Sequence, residues 1–366
     1  MSRFSGFLKR KDIEISAKRY GVEALGAMAQ GLFATLLIGT IINSVGSLFH
    51  IPFLTAPIFT TAGGTAYRLG DFAAAMSGPA MAAAIGYALK APPLVLFSLI
   101  TVGFSSNMLG GAGGPLAVLI VAIIACECGK MVSKETKVDI IVTPMVTIGI
   151  GVFLSWLIAP AIGRGAMAVG GFIMWATDLQ PFFMGIIVSV SVGIALTLPI
   201  SSAAICAALG LTGLAGGAAL AGCCAQMVGF AVISFRENKW GGLISQGIGT
   251  SMLQMGNIVK NPRIWTAPII TSAITGPIAT CLFKLEMNGP AVSSGMGTCG
   301  LVGQIGVYTG WAKDIASGKI SEISIFDHLS LWMISVILPA VIAPVIHYFV
   351  RKKGLVKDGD LSLENQ

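Results

Sequence analysis

Apolar stretches near the ~20 residues that carry a helix across a bilayer recur along this chain, and nothing constrains its fold more. The clearest run 24–48, 72–90, 114–131, 139–162, 182–200, 214–235, 264–284 and 328–350. Of 366 residues only 11% are charged, against about 25% in an average soluble domain. Such a chain lacks the polar groups to cover a globular surface, so lipid is its natural solvent. Four further segments, 51–66, 93–110, 165–178 and 296–311, are apolar but rich in Gly, Ser, Thr and Asn. Backbone that is not helical at membrane depth must be shielded by protein or line a wet cavity. Some of these four are therefore expected to be re-entrant hairpins or broken helices. The reading is an all-α polytopic membrane protein of about ten membrane segments. Its parts are a basic arm over 1–20, a membrane domain over 21–353, and a tail over 354–366 expected to be disordered.

Net charge is +7, yet the basic residues form no nucleic-acid face. Lys9, Arg10, Lys11, Lys18 and Arg19 precede the first crossing. Lys130, Lys134 and Lys137 fill one gap, Arg236, Lys239, Lys260 and Arg263 flank another, and Arg351, Lys352, Lys353 and Lys357 follow the last crossing. Basic residues concentrate on cytoplasmic loops, which places both termini and these gaps in the cytoplasm. The seven cysteines fit helix packing, as small hydrophobes do. They form no Cys-x-x-Cys pair, and His50, His328 and His347 form no cluster, so no metal, cofactor or catalytic residue is expected. Glu23, Asp71, Glu127, Asp178 and Glu286 read as interfacial carboxylates; Trp175, Trp240, Trp265, Trp311 and Trp332 read as interfacial anchors.

Several segments carry a family likeness. Ala82 to Leu96, AAAIGYALKAPPLVL, is similar to AYIAYSIADRPGLAP, and Ile140 to Ile162 to LMPILIIPLISTLIVGLLMIYVIGPPI. Thr197 to Ala204, TLPISSAA, stands where GGPVNKAA would, keeping the proline and the alanine pair. Asn261, Pro262 and Pro268 are similar to a DPLRVIP segment. These are motifs of the membrane (IIC) subunits of the bacterial sugar phosphotransferase system, fructose and mannitol type, which the chain resembles along most of its length. It is closest in texture to stand-alone IIC-like proteins known as regulators of perfringolysin-type toxin expression. The resemblance implies a bacterial cytoplasmic-membrane homodimer, in contact with lipid, in which a transport region slides as an elevator against a scaffold.

The departures from the family pattern bear on chemistry. The family's GITEGAIPF motif has a Glu, whereas Gly247 to Asn257, GIGTSMLQMGN, has no acid; Ala195 and Ser202 replace a further Asp and Lys. Ionised groups at membrane depth are expensive and usually functional. The polar residues left at these places are Thr197, Ser201 and Ser202 beside Pro199, with Thr250, Ser251, Gln254 and Asn257. They are the candidate binding residues for a small polar solute, a sugar or small organic acid. The competing reading is that the hydroxyls bond their own helix carbonyls. Transport is the leading expectation. The alternatives are a membrane sensor regulating gene expression, and a phosphotransferase permease served by separate IIA and IIB proteins.

Overall fold

A computed structural model describes residues 3–49, 51–61, 63–64 and 66–363; His50 and the last three residues lie outside it. Six helical stretches are long and apolar enough to cross a membrane: Arg19–Ser47, Pro93–Val132, Asp139–Thr177, Gly213–Ile233, Pro262–Leu282 and Ile325–Lys352. Pro181–Thr197 is a shorter apolar helix. The second stretch is two helices, Pro93–Gly110 and Gly114–Val132, folded back on each other at Gly111, whose φ of +50° is open to glycine. Their antiparallel course brings Gly129 against Val95.

The chain divides into two compact units, Met1–Leu36 with Ala73–Gly165 and Leu37–Phe72 with Ala166–Asn365. In the first, Ser77–Ala88 crosses Pro93–Gly110 so closely that a Cβ on Gly103 would sit 2.2 Å from the Gly78 oxygen. The basic arm is tied down. Arg10 and Lys11 pair with Glu135 at 3.0 and 2.6 Å, and Arg19 pairs with Asp12 at 2.7 Å.

In the second unit Gly213–Ile233 is almost wholly buried among Pro181–Thr197, Pro262–Leu282 and Ile325–Lys352. Its glycine, alanine and cysteine surface allows that approach; a Cβ on Gly222 would lie 1.8 Å from the Ser189 oxygen. Short π and 3-10 turns occupy Ser245–Gly249, Ser251–Gln254, Ala291–Gly295 and Cys299–Leu301. Of these only Cys299–Leu301 falls within one of the four glycine-rich segments, 296–311. Between 51 and 66 the chain forms a two-residue hairpin, Phe59 opposite Tyr67 and Thr60 opposite Ala66.

Of the four less regular apolar segments, two are helical. Residues 93–110 are a full helix, and 165–178 fall largely within the 39-residue helix Asp139–Thr177, which runs through Pro144 and Pro160. Without water to satisfy a freed amide, helix is the default even for glycine-rich sequence. Residues 354–363, expected to be disordered, are seated against the second unit, with Leu361 fully buried.

Candidate functional site

The Pro181–Thr197 helix stops where Pro199 removes a donor and holds Leu198 extended, with ψ at 159°. Ser201 then caps the next helix, Ser202–Leu209, its Oγ accepting from the Ala204 amide at 3.2 Å. The second segment breaks at Thr250, which is extended and whose Oγ1 accepts from the Met252 amide at 3.1 Å.

One contact joins the two breaks. Thr197 Oγ1 lies 2.8 Å from Ser251 Oγ, both fully buried. From there a chain of neutral groups runs inward. Thr197 Oγ1 reaches Gln226 Oε1 at 3.3 Å, which also accepts from the Trp265 indole at 2.7 Å. Gln226 Nε2 donates to Ser272 Oγ at 3.2 Å, and Ser272 Oγ lies within reach of the Pro268 and Gly222 oxygens. With Ser251 donating to Thr197 and Thr197 to Gln226, each hydroxyl has one proton to give and gives it once.

The other candidates go elsewhere. Ser202 Oγ donates to the Gly295 oxygen at 2.7 Å, binding the helix start to the 291–295 turn. Gln254 Nε2 donates to Gln246 Oε1 and to the Leu361 oxygen, each at 2.9 Å. Asn257 Nδ2 donates to Gln254 Oε1 at 2.8 Å and to the Ser362 oxygen at 2.9 Å. Thus the eight residues separate into a Thr197–Ser251 junction, the Pro199 break beside it, three local caps or tethers at Ser201, Ser202 and Thr250, and the Gln254–Asn257 amide pair that holds the tail. Asn238 and Asn261 complete the tail's seat, donating to the Leu361 and Leu355 oxygens at 2.8 and 3.1 Å, while Glu237 accepts from the Leu361 amide at 2.9 Å.

Gln226 and Trp265 escape the sequence reading. A signal for Gln226 exists: it is the one amide in an otherwise apolar 21-residue helix. Trp265 is read as an interfacial anchor, but its indole nitrogen serves this buried chain; Trp311 likewise is 8% exposed and belongs to a core cluster.

A family model for the phosphotransferase system EIIC matches residues 22–363. The chain belongs to this family. No curated protein and no solved structure matches. As an EIIC protein it is a sugar-specific permease component and a multi-pass protein of the bacterial cell membrane. The EIIC assignment fits a site made of hydroxyls and amides, the groups with which sugars exchange hydrogen bonds. Among the described residues no three His, Cys, Asp or Glu side chains group as a metal site would.

Proposed function

We propose that this EIIC protein carries a neutral polyhydroxylated solute, a sugar or sugar alcohol, through its second unit, with Thr197 and Ser251 at the solute's path. The observation that supports this most is the 2.8 Å contact between two interrupted segments at full burial. Broken backbone at membrane depth persists only where protein buries it or it lines a cavity, and in transporters such breaks point to the binding site. The groups beyond it, Gln226, Trp265 and Ser272, are all neutral, which favours a sugar over an organic acid. Sugar hydroxyls can replace Ser251 as donor to Thr197 with no charge left unmatched. On this reading the chain works as a homodimer, both termini face the cytoplasm, and phosphorylation depends on separate IIA and IIB proteins.

The test is a thermal-shift screen of sugars, sugar alcohols and organic acids, followed by uptake into proteoliposomes. Thr197→Val keeps the shape and removes the hydroxyl. It should abolish the sugar-induced shift, while Thr197→Ser should keep it. A sugar response equal in the valine variant and the wild type would refute the assignment.

A second reading, a membrane sensor, draws support from the tail seated on Gln254 and Asn257. A solute that took the Gln254 amide would free residues 355–363 for a cytoplasmic partner. Sugar-dependent proteolysis of the tail would favour this reading, and a tail equally protected with and without sugar would dismiss it.

A further inference from the structure

The first unit holds a cavity of about 510 Å³ whose charge is lopsided. Five cations line it: Arg10, Lys11, Lys90, Lys130 and Lys134. Its two carboxylates are already engaged. Asp12 is paired with Arg19, and Glu135 with Arg10 and Lys11. Lys130 is 1% exposed and forms the floor, donating to the Asp12 and Leu89 oxygens at 2.7 and 3.0 Å and pairing with Glu127 at 3.1 Å.

A bland account covers part of this. Helix C-termini attract cations, and Lys130 bonds the carbonyl that ends Ser77–Ala88, while Lys11 bonds the Ser133 oxygen that ends Gly114–Val132. Lys90 and Lys134 do not fit it. Both are exposed, and among the described residues neither ammonium has a hydrogen-bond or ion-pair partner. Both also sit at φ of +55° and +61°, just past a helix end. Glycine takes that conformation freely, whereas a side chain there costs roughly 1 kcal/mol. Two uncommitted cations thus stand, at a conformational cost, over a cavity whose acids are spoken for.

We propose that this cavity binds a phosphate-type anion, with Lys90 and Lys134 as its principal ligands and Arg10 and Lys11 in support. A phosphate group offers several acceptor oxygens to ammonium groups that have none. Lys134 follows the end of the membrane-length stretch Pro93–Val132 and Lys90 lines the same cavity, which sets the cavity near headgroup depth, where basic pockets take anionic phospholipids. A soluble phosphate or phosphoester presents the same chemistry.

Full-length protein in phosphatidylcholine nanodiscs separates the two sources. One arm replaces part of the lipid by phosphatidylglycerol; the other adds inorganic phosphate at constant ionic strength. The readout is the thermal midpoint. Lys90→Gly with Lys134→Gly keeps the backbone conformation and removes both charges, so the ligand-free midpoint should hold or rise. The response to the anion should weaken roughly thirty-fold in concentration. Lys352→Gln with Lys353→Gln, at a different basic end, should respond as wild type. A shift with phosphatidylglycerol alone assigns the site to lipid; a shift with phosphate alone, to a soluble ligand. No shift of the wild type in either arm overturns the proposal, with no variant needed. So does a glycine double variant that responds like the wild type.

Discussion

The side-chain nitrogen of Gln254 donates to the backbone oxygen of Leu361 at 2.9 Å, a contact across 107 residues of sequence. It fixes the end of the chain over an interrupted membrane segment, and it makes Gln254 a structural as well as a candidate binding residue. Removing one partner of a buried hydrogen bond leaves the other unsatisfied, at about 1–3 kcal/mol. Gln254→Leu should therefore lower stability by at least that amount, because Gln246 Oε1 and the Leu361 oxygen lose a donor and Asn257 Nδ2 loses an acceptor. In a chain ending at Gly354 one of those losses has already occurred. The same substitution should then cost less, with a coupling of roughly 0.5–3 kcal/mol in a double-mutant cycle read by chemical denaturation in detergent. Strict additivity would mean that the tail is not seated on Gln254.

How much of this was legible beforehand depends on what each residue's signal was. Apolar run length announced the membrane fold, and Pro199 marks the break after Thr197, because both are local properties. The pairing of Thr197 with Ser251 was half legible: polar groups in two broken segments imply a shared interior, but not which atoms meet. The seating of Leu361 was not legible. Its residues look like any short polar tail, and what orders them is a set of amides from Asn238 to Asn261 that only the fold assembles. Hydropathy also misled at Trp265, since an indole that anchors at an interface and one that donates to a buried glutamine look alike in sequence.

The arm's attachment should depend on acid. Hydrogen bonding from Arg19 holds the Asp12 carboxyl below the ordinary carboxylate range. A depressed value means that the contribution is complete at neutral pH and is lost as pH falls through that lowered value, so it should be constant above about pH 4. A spin label at Glu14 should stay immobile from pH 8 down to about pH 4 and gain mobility only below that. Asp12→Asn should be mobile at every pH. A transition near pH 6.5 in the wild type would point to some other group.

Topology follows from the basic gaps. If the clustered cations mark the cytoplasmic side, single cysteines at Lys134 and Lys239 should resist an impermeant maleimide in intact cells and react in inverted vesicles. Both positions are exposed and in turns or kinks, at φ of +61° and +51°, so burial is no obstacle to labelling. Strong labelling of either in intact cells would reverse the assignment.

The contact between Gln226 and Trp265 gives the sharpest test of the proposed path. Gln226 Oε1 accepts from Trp265 Nε1 at 2.7 Å, and Gln226 is fully buried. Gln226→Met keeps the length of the side chain but strands the indole donor, at about 1–3 kcal/mol. Trp265→Phe removes that donor and leaves Gln226 Oε1 with Thr197 as its remaining partner. Combining them removes both ends of the bond, so the double variant should be less destabilised than the sum of the two, by roughly 0.5–3 kcal/mol. Stability alone does not distinguish a core bond from a binding residue. Uptake does: if Gln226 orients the hydroxyl that Thr197 offers to a sugar, Gln226→Met should lose sugar-induced stabilisation and transport even in a background restabilised by Trp265→Phe. Transport recovering together with stability in the double variant would confine Gln226 and Trp265 to the core.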